Sequence, residues 1–197
     1  MMVAKIELNR LPEFERIVFL PASKYISMIQ EFIAQQYEAA LLQLKNEINS
    51  YTHKDHVWEV KGQIANSSGT LALHLIGNLN HFIGAGLGNT GYIRDREKEF
   101  SDRDVPTGKL IKDIDEVTYK VKNIISNLTD EQLYGEYPMK DGRSPKFTAQ
   151  QLVRLIAHFN YHLGQINYHR RLLDQPVSLP DDVQQLDQPN TMAHHQR

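Results

Sequence analysis

The residues best equipped for chemistry in this chain are its histidines. There are nine of them and no cysteine. Disulfides, thiolate ligands and a cysteine nucleophile are therefore excluded, and any metal site must be built from imidazole and oxygen. Two histidines stand in Ala157-His158-Phe159-Asn160-Tyr161-His162-Leu163-Gly164-Gln165. On a helix, His158 and His162 lie on one face, about 6 Å apart along the axis. Two imidazoles so placed can reach one divalent ion at about 2.0–2.1 Å each. His158, His162, Gln165 and His169 form a stripe beside the apolar one of Leu152, Leu155, Phe159, Leu163 and Ile166. That pattern predicts a site at the margin of a core. His169 lies about 10 Å along the axis from His162, too far to share an ion, and reads as an exposed or snorkelling histidine. Gln165 is placed to support a ligating ring from behind, or equally to stand on the surface as an ordinary polar residue.

Spacing alone is a weak signal, because nine histidines make one such pair unremarkable by chance. Two absences narrow the chemistry. The pair lacks the glutamate of the H-E-x-x-H metalloproteases. No Glu-x-x-His occurs anywhere in the chain, which excludes the carboxylate scheme of di-iron bundles. His74 and His81 stand in Thr70-Leu71-Ala72-Leu73-His74-Leu75-Ile76-Gly77-Asn78-Leu79-Asn80-His81-Phe82. On a helical wheel His74 falls beside Leu71 and Asn78, off the Leu75–Leu79 face. Residue types alone read both as surface or boundary histidines.

The elements that must carry these residues follow from apolar periodicity. Ile26, Ile29, Ile33, Tyr37, Ala40, Leu41, Leu44 and Ile48 predict a helix over 23–49, with Ser23 as its cap. Leu71, Leu75, Leu79 and Phe82 predict a second over 69–85, ending in the cluster Gly84, Gly86 and Gly88. Leu110, Ile114, Val117, Val121, Ile124 and Leu128 predict a third over 107–128, after which Thr129 and Gln132 box a short extra turn. The fourth, over 148–174, starts with Thr148 as cap, Gln151 as box partner and Phe147 stapled onto Leu152. Residues 1–22, broken by Pro12 and Pro21, read as a lead-in, and 176–197 as a polar, disordered tail. Residues 50–69 read as a polar connection. Residues 89–106, dense in charge at Arg94-Asp95-Arg96-Glu97-Lys98-Glu99, read as a long surface loop. Asp141-Gly142 suggests a tight turn and a small hairpin. The fold class is thus all-α: a four-helix bundle over 23–175 with a long crossover-type link between helices two and three.

Charge is nearly balanced, with 22 Lys plus Arg against 24 Asp plus Glu, so there is no electrostatic case for nucleic acid or an anionic membrane. No apolar run approaches the roughly 20 residues of a membrane helix. Lys5, Glu7 and Arg10 stand where a signal peptide would need an apolar stretch, so the expected location is cytoplasmic.

The segment Leu73-His74-Leu75-Ile76-Gly77-Asn78-Leu79, taken with His158-x-x-x-His162-Leu163-Gly164-Gln165, resembles the DinB-like superfamily (DinB/YfiT-like). Its His-Leu-x-Gly-Asn-Leu form is similar to an uncharacterised branch, and the likeness spans about residues 23–175. The resemblance implies a four-helix bundle in which one histidine from the second helix and the pair from the fourth hold a divalent metal. Carried over residue by residue, the ligands are His74, His158 and His162, and the ion is Zn, Ni or Fe. Three imidazoles leave open positions, as catalytic sites do. Characterised relatives are metal-dependent thiol transferases and isomerases, and others are described as hydrolases. The expectation is therefore a metal-dependent transferase using a low-molecular-weight thiol as its small-molecule substrate. Arg143, Lys146, Arg154, Arg170 and Arg171 are candidates for a cationic rim. A hydrolase ranks second, because no acidic residue of the fourth helix lies near the His pair. A non-enzymatic metal-binding stress-response protein is the third reading. The high apolar count of helix one, and the pairing common among such bundles, lead us to expect a homodimer.

Overall fold

The computed structural model describes residues 22–140, 142 and 144–174, with side chains from residue 28 onward. The expected lead-in, apart from Ala22, and the expected tail lie outside the described residues, as do Asp141 and the rim candidate Arg143. Among the described residues there are six α-helices of five residues or more: α1 Ala22–Asn49, α2 Ser68–Leu79, α3 Arg96–Ser101, α4 Thr107–Ser126, α5 Asp130–Tyr134 and α6 Thr148–Leu173. Among the described residues there is no strand, only one isolated antiparallel bridge between Glu136 and Phe147. No described helix is long and apolar enough to cross a membrane.

Several ends form as side-chain chemistry requires. Ser67 Oγ accepts from Thr70 N at the start of α2, and Thr129 and Gln132 make both bonds of a capping box on α5. Two expected caps are corrected. Helix α1 already includes Ala22, so Ser23 lies inside it. Helix α6 begins at Thr148 with Phe147 in the cap position. The bridge explains the second shift. Tyr137 N donates to Lys146 O and Thr148 N to Gly135 O, which holds 146–148 as the return arm of a small hairpin. Gly142, at φ +70°, lies in the turn between its arms. The side chain of Thr148 is buried there, and neither its Oγ1 nor Gln151 Nε2 finds a partner.

Helix α2 does not stop at its glycines. It continues through a π-helical stretch, Asn80–Ala85, and a last turn at Gly86–Gly88, closing at Asn89 with φ 48°. The connection over 50–67 contains a 3-10 turn, Lys54–Trp58, whose Val57 is fully buried. It is more than the polar link expected. The larger correction concerns 89–106, which folds α3 against α2 and buries Glu99.

Cross-helix contacts fix the directions of the long helices. Gln30, Glu38 and Lys45 of α1 bond Leu128 O, Lys122 and Asp115 in turn, so α1 and α4 are antiparallel. Tyr37 donates to Leu152 O while Glu47 accepts from Asn167 and Arg170, so α1 and α6 are parallel. Asn80 accepts from Lys120, and Gly88 lies against Ile124, so α2 and α4 are parallel too. Arg154 stacks over Phe82 while His158 meets His74, so α2 and α6 are antiparallel. The order is up, down, down, up. Joining two parallel helices demands a long return, and 89–106 supplies it by running back along α2. One contiguous apolar core lies between the four long helices, with Tyr37, Leu41, Leu75, Leu79, Ile114 and Phe159 fully or nearly fully buried.

Candidate metal centre

His74 sits midway along α2, a helix in which every residue from Ser68 to Leu79 except Leu73 is buried. The wheel reading of His74 as a surface or boundary residue is therefore corrected: it is only 6% exposed. A wheel assigns polar positions to solvent, and α3 takes that place instead. The Phe100 ring lies 5.0 Å from the imidazole, and Glu99 Oε2 stands 3.0 Å from its Nδ1. Arg94 clamps the same carboxylate with both arms, Nε to Oε1 at 2.6 Å and Nη2 to Oε2 at 2.7 Å. Gly77, one turn beyond His74, makes room for this group. A Cβ there would overlap the Glu99 carboxylate.

From α6, His158 and His162 face the same point with ring centroids 4.5 Å apart, and each lies 5.3 Å from the His74 ring. His74 Nε2 and His158 Nε2 are 3.0 Å apart. One nitrogen from each of the three rings falls within 4.8 Å of the others. Gln165, the residue proposed to support the site from behind, does contact it: its Oε1 is 2.7 Å from His162 Nδ1. A carbonyl oxygen only accepts, so that Nδ1 carries the proton and Nε2 is left as the lone-pair nitrogen. Glu99, accepting from His74 Nδ1, does the same for His74. Two rings are thus set to present Nε2 inward.

The donor set suits a divalent ion. Three neutral nitrogens converge, and the facing His74 and His158 nitrogens need a proton or a cation between them. The electrostatics agree. Burial first, then the His162 and His74 rings and the charges of Arg154 and Arg94, hold His158 down to about 4. Burial also lowers His162, with His74 adding and the Gln165 bond opposing. Both rings are therefore neutral at pH 7, the state a ligand needs. For Glu99, burial pushes upward, but the bonds and charges of Arg94 and His74 outweigh it and the carboxyl stays below its usual range.

The other candidates fall elsewhere. His169 is corrected from exposed to buried, at 3% exposure. Its Nδ1 meets Tyr51 Oη at 2.6 Å and its Nε2 meets Glu59 O at 2.9 Å, away from the triad. His81 lies beside the Phe82 ring. Of the described rim residues, Arg154 is the one near the site, sharing the Phe82 ring with Arg94. Arg170 is held by Glu47 and Lys146 pairs with Glu136, while Arg171 stands exposed in the last turn of α6. Arg94 and Glu99 were missed as site residues because a dense charge run ordinarily means solvent. The available signal was Asp95, which caps α3 by accepting from Lys98 N, with Phe100 following on the same short helix.

An all-helical protein in which three imidazoles from two helices converge, one of them backed by a buried carboxylate, is the class the geometry defines. Residues 22–178 match the family described as "Protein of unknown function (DUF1572)", and the chain belongs to that family. No curated protein and no solved structure matches it.

Proposed function

We propose that this chain is a DinB-like four-helix bundle protein that binds one divalent metal ion through His74, His158 and His162. We further propose that it uses the ion to transfer a low-molecular-weight thiol. The observation that carries the reading is the convergence of the three ring nitrogens within 4.8 Å. When bound, the ion would supply the Lewis acidity that keeps a small thiol deprotonated at neutral pH. The chain's own residues do the rest. Glu99 and Gln165 hold two of the rings in orientation. Arg154, whose charge is felt at His158, favours an anionic substrate over a neutral one. Hydrolysis ranks second on a specific ground. Glu99, the carboxylate at the triad, is engaged by Arg94 and by the far nitrogen of His74, so it is not free to take a proton from water.

The test begins with elemental analysis for Zn, Ni and Fe on untagged protein carrying His194→Ala and His195→Ala, which removes a competing pair from the C-terminus. One equivalent of metal is expected, and it should be lost in His74→Ala, His158→Ala and His162→Ala. Full metal content in His158→Ala would sink the site. Transfer of glutathione, bacillithiol or mycothiol to an aryl halide, with and without chelator, then separates transferase from hydrolase and from a non-enzymatic metal-binding stress-response protein. The expected homodimer is supported by Met28, Ile29, Phe32 and Leu42, which α1 leaves exposed. Sedimentation as a monomer would end that expectation.

A further inference from the structure

A glycine inside a helix needs a reason, because it costs about 1 kcal/mol relative to alanine. Along α2 and its continuation the reasons are visible. A Cβ at Gly69 would come within 2.6 Å of the Trp58 ring. Likewise Gly77 makes way for Glu99, Gly86 for the Tyr137 hydroxyl and Gly88 for Ile124. Gly164, in the middle of α6, has no such reason: a Cβ built there meets nothing within 4 Å. Gly108 is equally open but sits in the first turn of α4, where the cost is small.

The open space over Gly164 is a cavity of about 620 Å³ between α6 and the segment leading into α2. Tyr161 and Tyr168 line it from three residues before the glycine and four after, which is the same helical face. They are 65% and 74% exposed, so neither ring is there to fill the core. The amides of Gln63, Asn66 and Gln165 share the lining with apolar side chains and with His169, whose two nitrogens are already engaged by Tyr51 and the Glu59 carbonyl, and no Lys, Arg, Asp or Glu takes part. Gln165 is also the residue that holds His162, so an occupant would sit directly behind the triad.

We propose that this slot is a binding site for a small, uncharged, planar molecule, laid over the bare helix backbone at Gly164 between Tyr161 and Tyr168. An ion would enter without a countercharge and lose its hydration for nothing. A flat apolar body finds two tyrosine rings, and polar atoms on its edge find three amides. The site stands without the metal.

The test is a titration of 2-naphthol, neutral and planar, against 2-naphthoate, the same ring system bearing a negative charge, by calorimetry on the full chain. Chelator is present throughout, so the outcome does not depend on the ion. Saturable binding of one naphthol is expected, with naphthoate weaker by roughly tenfold or more. Gly164→Leu should weaken naphthol by a similar factor while melting at or above the wild-type temperature, since it fills space and removes a helical glycine. Gly164→Ala, and Tyr161→Ser with Tyr168→Ser, repeat the test with changes that disturb the fold still less. No saturable binding, equal binding of naphthoate, or unchanged naphthol affinity in the folded variants would each overturn the site. Loss of metal from the wild type with naphthol binding retained would overturn the proposed function and leave this site standing.

Discussion

A buried carboxylate is costly unless its oxygens are met, and those of Glu99 are met by Arg94 and His74. Arg94 neutralises the charge, and the remaining interaction fixes which nitrogen of the ring faces the triad. Glu99→Gln keeps the shape and removes the charge. Metal affinity should fall by about 10–100-fold, the usual cost of losing such a support, measured by competition with a chromophoric chelator. An unchanged affinity would mean that the ring is oriented by the fold alone. His169→Ala should do the opposite. It breaks the bonds to Tyr51 and the Glu59 carbonyl, so it should cost about 2–3 kcal/mol in urea unfolding and leave metal affinity unchanged. The pH dependence also belongs to single residues. His158 at about 4 and His162 below its ordinary value refuse protons in the folded state that the unfolded chain accepts near 6.5. The unfolded state then binds more protons, so the ion-free protein loses stability as pH falls from 6.5 toward 4. Because the rings are half-exposed, solvent screening reduces the effect to the order of 1 kcal/mol. Urea midpoints at pH 7 and pH 5 read it directly.

At the scale of the element, α2 and α3 act as one unit, joined where Gly77 admits Glu99. Gly77→Ala, ordinarily a stabilising change in a helix, should here destabilise the protein and weaken metal binding together, because the carboxylate must move. A rise in melting temperature would contradict this. This pair of helices also marks where sequence reading succeeds and where it stops. The long helices were legible because Ile, Leu and Val recur at steps of three and four, and apart from the C-terminal end of α2, which turns π-helical at Asn80, their bounds fall within two residues of the expected ones. Helix α3 was not, because six residues of almost unbroken charge carry no periodicity, and nothing local says that Glu99 will be buried. Helix α2 was legible as a helix and illegible in its orientation. It is covered on nearly all sides, so its wheel has no solvent face against which to place His74. The His158–His162 pair was legible from spacing, but the third member came from the resemblance and not from pattern.

At the scale of the molecule, two parallel central helices require the returning link, and that link lays α3 over the site. The long link was foreseeable from its length, though its use as a cover was not. The arrangement has a kinetic consequence. His74 and His158 are 84 residues apart in the chain, so the three rings meet only after α2 and α6 have docked. Contacts of such separation cost the most loop entropy, so we expect this docking to be completed after the folding transition state. An ion should therefore slow unfolding without hastening refolding. In stopped-flow denaturant jumps with and without bound metal, the unfolding arm should drop while the refolding arm stays in place. An ion held there would be a brake on opening rather than a guide to assembly.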